Sequence, residues 1–117
     1  MNEFESYPDL DKDSLEEIKA IVGDKFSTIT DYYLEDTPKH ITQIEEGLNE
    51  SDHDKILRSA HTIKSSSRQL GLMKVGALCG AIEKAASSQS EIEEIRSIAQ
   101  YLKNAFDNGT TELKKIM

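Results

Sequence analysis

The sequence predicts a single all-α domain. Three observations carry this: apolar residues recur at helical spacing in successive stretches, no stretch alternates as a strand would, and polar or glycine-containing breaks separate the stretches. At 117 residues the chain is long enough for one core and too short for a second domain of ordinary size. It contains no repeat, linker or low-complexity segment.

The first helix is expected after residues 1–10, an N-terminal extension. Asp13 or Ser14 can cap it, Leu15, Ile18, Ile21 and Val22 give it an apolar side, and Gly23 stops it. A second stretch from Asp24 to about Glu50 aligns Phe26, Ile29, Tyr33, Thr37, Ile41, Ile44 and Leu48. Pro38 lies inside it. Proline forfeits a helical hydrogen bond, so this is either one kinked helix or two, with Thr37 capping the second. Residues 49–52 form a polar turn, and the third helix runs on to about Gly71.

A fourth helix is expected from Met73 to Ala86. Gly76 and Gly80 lie inside it, each costing about 1 kcal/mol against alanine; they serve either close packing or a cleared partner surface. Cys79 falls on its apolar side with Leu72, Val75, Ile82 and Ala86 and reads as a small core residue. After residues 87–90, Ser90 and Glu93 have capping-box spacing. A long last helix follows, with Ile92, Ile95, Ala99, Leu102, Phe106, Leu113 and Ile116 buried and a weak point at Asn108 and Gly109.

The third helix holds the most informative residues. Ile56, Ala60, Ile63, Ser67 and Leu70 form one stripe, and Leu57, His61, Lys64 and Arg68 repeat the spacing a quarter turn away. If the first stripe faces the core, His61 opens to water with two cations nearby, an arrangement suited to a phosphate on imidazole. An ordinary surface histidine is the plain alternative. His40 and His53 lack the paired spacing of a helical metal site, so no metal is expected.

The run Ala60-His61-Thr62-Ile63-Lys64-Ser65-Ser66-Ser67, then Gly71, then Leu78-Cys79 and Ile82-Glu83, resembles the signature of histidine-containing phosphotransfer (HPt) domains. The signature covers about residues 56–86, and the helical pattern extends the likeness over most of the chain. The resemblance implies an antiparallel four-helix bundle, about residues 24–116, with an additional short N-terminal helix. It also favours one kinked helix around Pro38. It makes His61 the phosphoacceptor and Lys64 the residue that steadies phosphate charge, with Ser65, Arg68 and Glu83 in support. Glu83 matches a family position that reaches the histidine from the adjacent helix; a solvated glutamate is the other reading. Ser65 stands where many family members have glycine, and Lys-Ser-Ser resembles small stand-alone carriers of bacterial quorum-sensing relays.

The implied function is relay of a phosphoryl group between receiver-domain aspartates of a hybrid sensor kinase and a response regulator. The Mg²⁺ of transfer belongs to the receiver, and the chain itself needs no cofactor. Leu57, Gly76 and Gly80 are candidate docking positions, Leu57 joined by residues of the first two helices. One docking face requires no more than a monomer. An unperturbed imidazole is substantially neutral near pH 7, so no general base is needed. A helical adaptor that binds signalling proteins without phosphorylation is the alternative. A phosphatase is disfavoured, since no second base is placed to activate water.

Composition agrees. The chain has no Gly-rich phosphate loop, so the phosphoryl group is expected to come from another protein and the chain is expected not to be an enzyme with its own ATP site. The net charge of -8 opposes general binding to nucleic acid or anionic membrane. The lone cysteine and the lack of a long apolar run or signal-like N-terminus lead to a cytoplasmic expectation.

Overall fold

The computed structural model describes residues 3–117, so Met1 and Asn2 of the expected extension lie outside the described residues. Six α-helices follow a 3-10 turn at Glu3–Ser6: α1 (Lys12–Val22), α2 (Phe26–Glu50), α3 (His53–Gln69), α4 (Met73–Ser87), α5 (Ile92–Ala99) and α6 (Leu102–Ile116). No strand occurs among the described residues. The connections after α2, α3 and α4 are two, three and four residues long, which turns each next helix back on the last. The result is an antiparallel bundle of α2, α3, α4 and the α5–α6 pair, with α1 as the additional N-terminal helix.

The predicted apolar stripes meet in one core. Tyr33, Ile44 and Leu48 of α2 are buried with Ile56, Ala60 and Ile63 of α3 and with Val75, Leu78, Cys79 and Ile82 of α4. Ile95, Leu102, Phe106 and Leu113 close the fourth side. Each buried Val, Leu, Ile or Phe side chain among them contributes about 1.5–3 kcal/mol. Burial also pushes the Cys79 thiol well above its ordinary range, with the nearby Glu83 charge adding, which fits an inert core residue.

Several local expectations are corrected. The cap of α1 is Asp11, whose carboxylate accepts from the Asp13 and Ser14 backbone N–H groups at 3.1 and 3.4 Å. Asp11 is fixed there because its own N–H donates to Gly71 O at 2.7 Å. Ile21 is 74% exposed, since only Leu15, Ile18 and Val22 of α1 turn toward the bundle. Pro38 sits within a single helix, so the two-helix alternative is not formed. The Ser90–Glu93 capping box is not made: α5 starts after Glu91, and Ser90 instead gives its N–H to Ala85 O and accepts from His53 Nε2 at 2.7 Å.

The last helix divides at Gln100 and Tyr101, not at Asn108 and Gly109. There the ladder tightens to an i→i-3 bond from Tyr101 N to Ile98 O, and α6 resumes in the same apolar phase. Gly109 is buried inside α6, where a Cβ would come within 2.8 Å of Leu72 Cδ2 and 3.2 Å of Asp9 O. The N-terminal segment is therefore packed on the bundle. Phe4 and Leu10 are buried, and Pro8 O accepts from the Lys74 N–H, one of the otherwise free donors of the first turn of α4.

Candidate functional site

The site is set by how α3 is anchored. Asp52 caps its start by accepting from the Lys55 N–H at 3.0 Å, and the Ile56, Ala60, Ile63, Ser67 and Leu70 stripe is buried throughout. Ser67 is the polar member of that stripe. Its Oγ lies 2.7 Å from the Tyr33 hydroxyl, a buried bond that fixes the rotation of α3 against α2. Burial outweighs this bond and raises the Tyr33 phenol far above its usual range, so it stays neutral.

With that stripe inward, the flanking one faces α4. The His61 side chain is 60% exposed, while Lys64 and Glu83 keep 23% and 21%. His61 Nδ1 donates to Glu83 Oε2 at 2.7 Å and Lys64 Nζ donates to Glu83 Oε1 at 2.5 Å. A carboxylate only accepts, so the proton of the neutral ring is on Nδ1 and the lone pair on Nε2. Nε2 makes no hydrogen bond among the described residues. An exposed, oriented imidazole with a free nitrogen is a nucleophile for an electrophilic phosphorus.

Burial alone would raise the Glu83 carboxyl, but the bonds from Lys64 and His61, and their positive charge, bring it below the ordinary 4.5. A carboxyl lowered by folding adds stability that is present above its unfolded value and disappears as pH falls through the lowered folded one. The Glu83 carboxyl carbon is accordingly expected to titrate below pH 4.5 by NMR and to move upward in Lys64→Ala. A midpoint at or above 4.5 in the unmodified chain would show that the bridge does not persist in solution.

The other candidates separate. Ser65 is exposed one residue beyond Lys64. Leu57 is half-buried against the core on the α4 flank of α3. The α2 flank carries Ser59, which donates to Gln43 Oε1 at 3.0 Å. The cleared surface expected at Gly76 and Gly80 is occupied: a Cβ on Gly76 would lie 2.8 Å from Arg68 Cγ, and one on Gly80 3.3 Å from Arg68 Nη2. These glycines make room for Arg68, the close-packing reading.

A feature not anticipated from sequence is a cleft of about 520 Å³ between α2 and α3, bordered by Tyr32, Asp36, His40, Thr62, Ser66 and Gln69. Tyr32 is 67% exposed beside it. Only the exposed aromatic within an amphipathic helix could have hinted at it. His40 is engaged with Asp36 and Gln43, and His53 with Ser90. Among the described residues no three His, Cys, Asp or Glu side chains gather as a metal site, and no helix is long and apolar enough to cross a membrane.

Comparison with known proteins agrees with this arrangement. The crystal structure of histidine-containing phosphotransfer protein B (HptB) from Pseudomonas aeruginosa PAO1 superposes with a TM-score of 0.86, covering 94% of this chain and 95% of that one at 19% identity. At that identity the likeness establishes the fold. Comparison with curated proteins gives no match. The model of the Hpt domain family matches residues 28–112, which span α2 to α6 and so contain both His61 and Glu83. The chain belongs to the Hpt domain family.

Proposed function

We propose that this chain carries a phosphoryl group on His61 Nε2 between receiver-domain aspartates, taking it from a hybrid sensor kinase and passing it to a response regulator. The observation that carries this reading is the Nδ1–Glu83 bond, which leaves Nε2 free at the surface. In the forward step the Nε2 lone pair attacks the phosphorus of an aspartyl phosphate. The N–P bond forms, the P–O bond to aspartate breaks, and the aspartate leaves as carboxylate. The ring becomes cationic, and Glu83 stabilises that charge through Nδ1–H. Transfer onward reverses the sequence with a second aspartate as nucleophile.

Lys64, one turn from His61, is within reach of phosphoryl oxygens once it turns from Glu83, and Ser65 adds an exposed hydroxyl. Mg²⁺ is assigned to the receiver, and the chain acts as a carrier in the cytoplasm with no ATP site of its own. The α2–α3 cleft, which Thr62 borders one residue after His61, suits a receiver surface that binds transiently, with Tyr32 as an apolar contact. A monomer suffices for this.

The test is incubation with a phosphorylated receiver and Mg²⁺, followed by site mapping and addition of a second, unphosphorylated receiver. Label on His61 that moves to the second receiver is the expected result. Binding to receivers without any label would favour the adaptor.

A further inference from the structure

Arg68 lies two helical turns after His61 on the same flank of α3. Its side chain runs back along α4. A Cβ on Gly76 would meet Arg68 Cγ at 2.8 Å, and one on Gly80 would meet Arg68 Nη2 at 3.3 Å and Lys64 Cδ at 3.6 Å. The two glycines thus leave a trough in which the guanidinium rests beside the Lys64 stem. A cleft of about 500 Å³ opens over it, bordered by Lys84 of α4 and by Glu3, Ser6 and Tyr7 of the N-terminal segment. Lys64 is paired with Glu83, whereas Arg68 makes no ion pair among the described residues.

The charge balance gives that unpaired cation a use. Before phosphorylation, Glu83 and Lys64 offset one another. On transfer the ring becomes cationic and offsets Glu83, which frees the Lys64 ammonium, while the phosphoryl group adds roughly -1.5 to -2 at neutral pH. One lysine neutralises only part of that charge. Resting on the reading of His61 as phosphoacceptor, we propose that Arg68, seated in the trough left by Gly76 and Gly80, is a positioning residue that supplies the second positive charge for the phosphoryl group. A guanidinium is charged at every accessible pH and presents paired donors to phosphate oxygens, and Arg68 is exposed, so it can follow the group without being desolvated.

The test needs no receiver. The full chain is phosphorylated with phosphoramidate, the site is mapped, and the ³¹P resonance is followed against pH. Lys64, Arg68, Lys84, Glu83 and Glu3 are the charged groups facing this region from α3, α4 and the N-terminal turn. In Arg68→Ala the second ionisation of the phosphoryl group is expected to rise by about 0.3–0.5 pH units, the effect of removing one nearby solvated charge. Arg68→Lys restores most of the shift. Gly80→Ala moves the midpoint the same way by displacing the guanidinium, and adds nothing in the Arg68→Ala background. Equal midpoints in the unmodified chain and Arg68→Ala, or an Arg68→Lys variant no different from the alanine, overturn the proposal while the carrier reading stands. Absence of label from His61 in the unmodified chain overturns both.

Discussion

His61→Gln is expected to reduce phosphoryl acceptance from a receiver to background while leaving the thermal midpoint within about 3 °C of the unmodified chain. The chemical loss is complete because a carboxamide nitrogen has its lone pair delocalised into the carbonyl and does not attack phosphorus. The structural loss is small because the side chain is 60% exposed and its one hydrogen bond is to Glu83. A surface ion pair of this kind contributes on the order of 0–1 kcal/mol, and the glutamine amide can still donate to the carboxylate. Circular dichroism melts and site mapping read the two halves separately. Acid-labile, hydroxylamine-stable phosphate retained on the variant would remove His61 from the mechanism, and a collapsed melt would show that the imidazole holds the bundle together.

What made this site legible in sequence was periodicity. The phase that puts Ile56, Ala60, Ile63 and Leu70 in the core also puts His61 and Lys64 on the flank, and a helix permits no independent choice of the two. Glu83 was reached through family likeness, because its distance from His61 depends on the register of α3 against α4. The same limit hid the seat of Arg68. Gly76 and Gly80 announce small residues in a helix, and only the packed pair of helices says which side chain fills the space.

Helix ends were less legible for a related reason. Asp11, Asp13 and Ser14 are chemically comparable caps, and the choice falls to Asp11 through a bond to Gly71, sixty residues away. The division at Gln100 and Tyr101 carries no glycine or proline to mark it. Asn108 and Gly109, which look like a break, are held helical because Gly109 lets α6 pass close to Leu72 and Asp9. Tertiary packing overrode a propensity of about 1 kcal/mol.

Gly71→Ala is expected to destabilise the fold by about 3–5 kcal/mol. Gly71 has φ +84°, which costs a non-glycine residue about 1–2 kcal/mol. Its Cβ would also lie 2.6 Å from Asp11 O, a backbone atom that cannot rotate aside. Relief requires the two segments to part. That breaks the Asp11 N–H to Gly71 O bond, worth about 1 kcal/mol, and loosens the segment that places Leu15 in the core. Gly23→Ala is the control, since Gly23 also has positive φ, +61°, but nothing lies within 4 Å of its Cβ; it carries strain without collision. Denaturant melts should therefore rank Gly71→Ala well below Gly23→Ala, and hydrogen exchange in the Gly71 variant should rise first in α1. Equal losses at the two positions would mean that the α1 segment swings away at little cost.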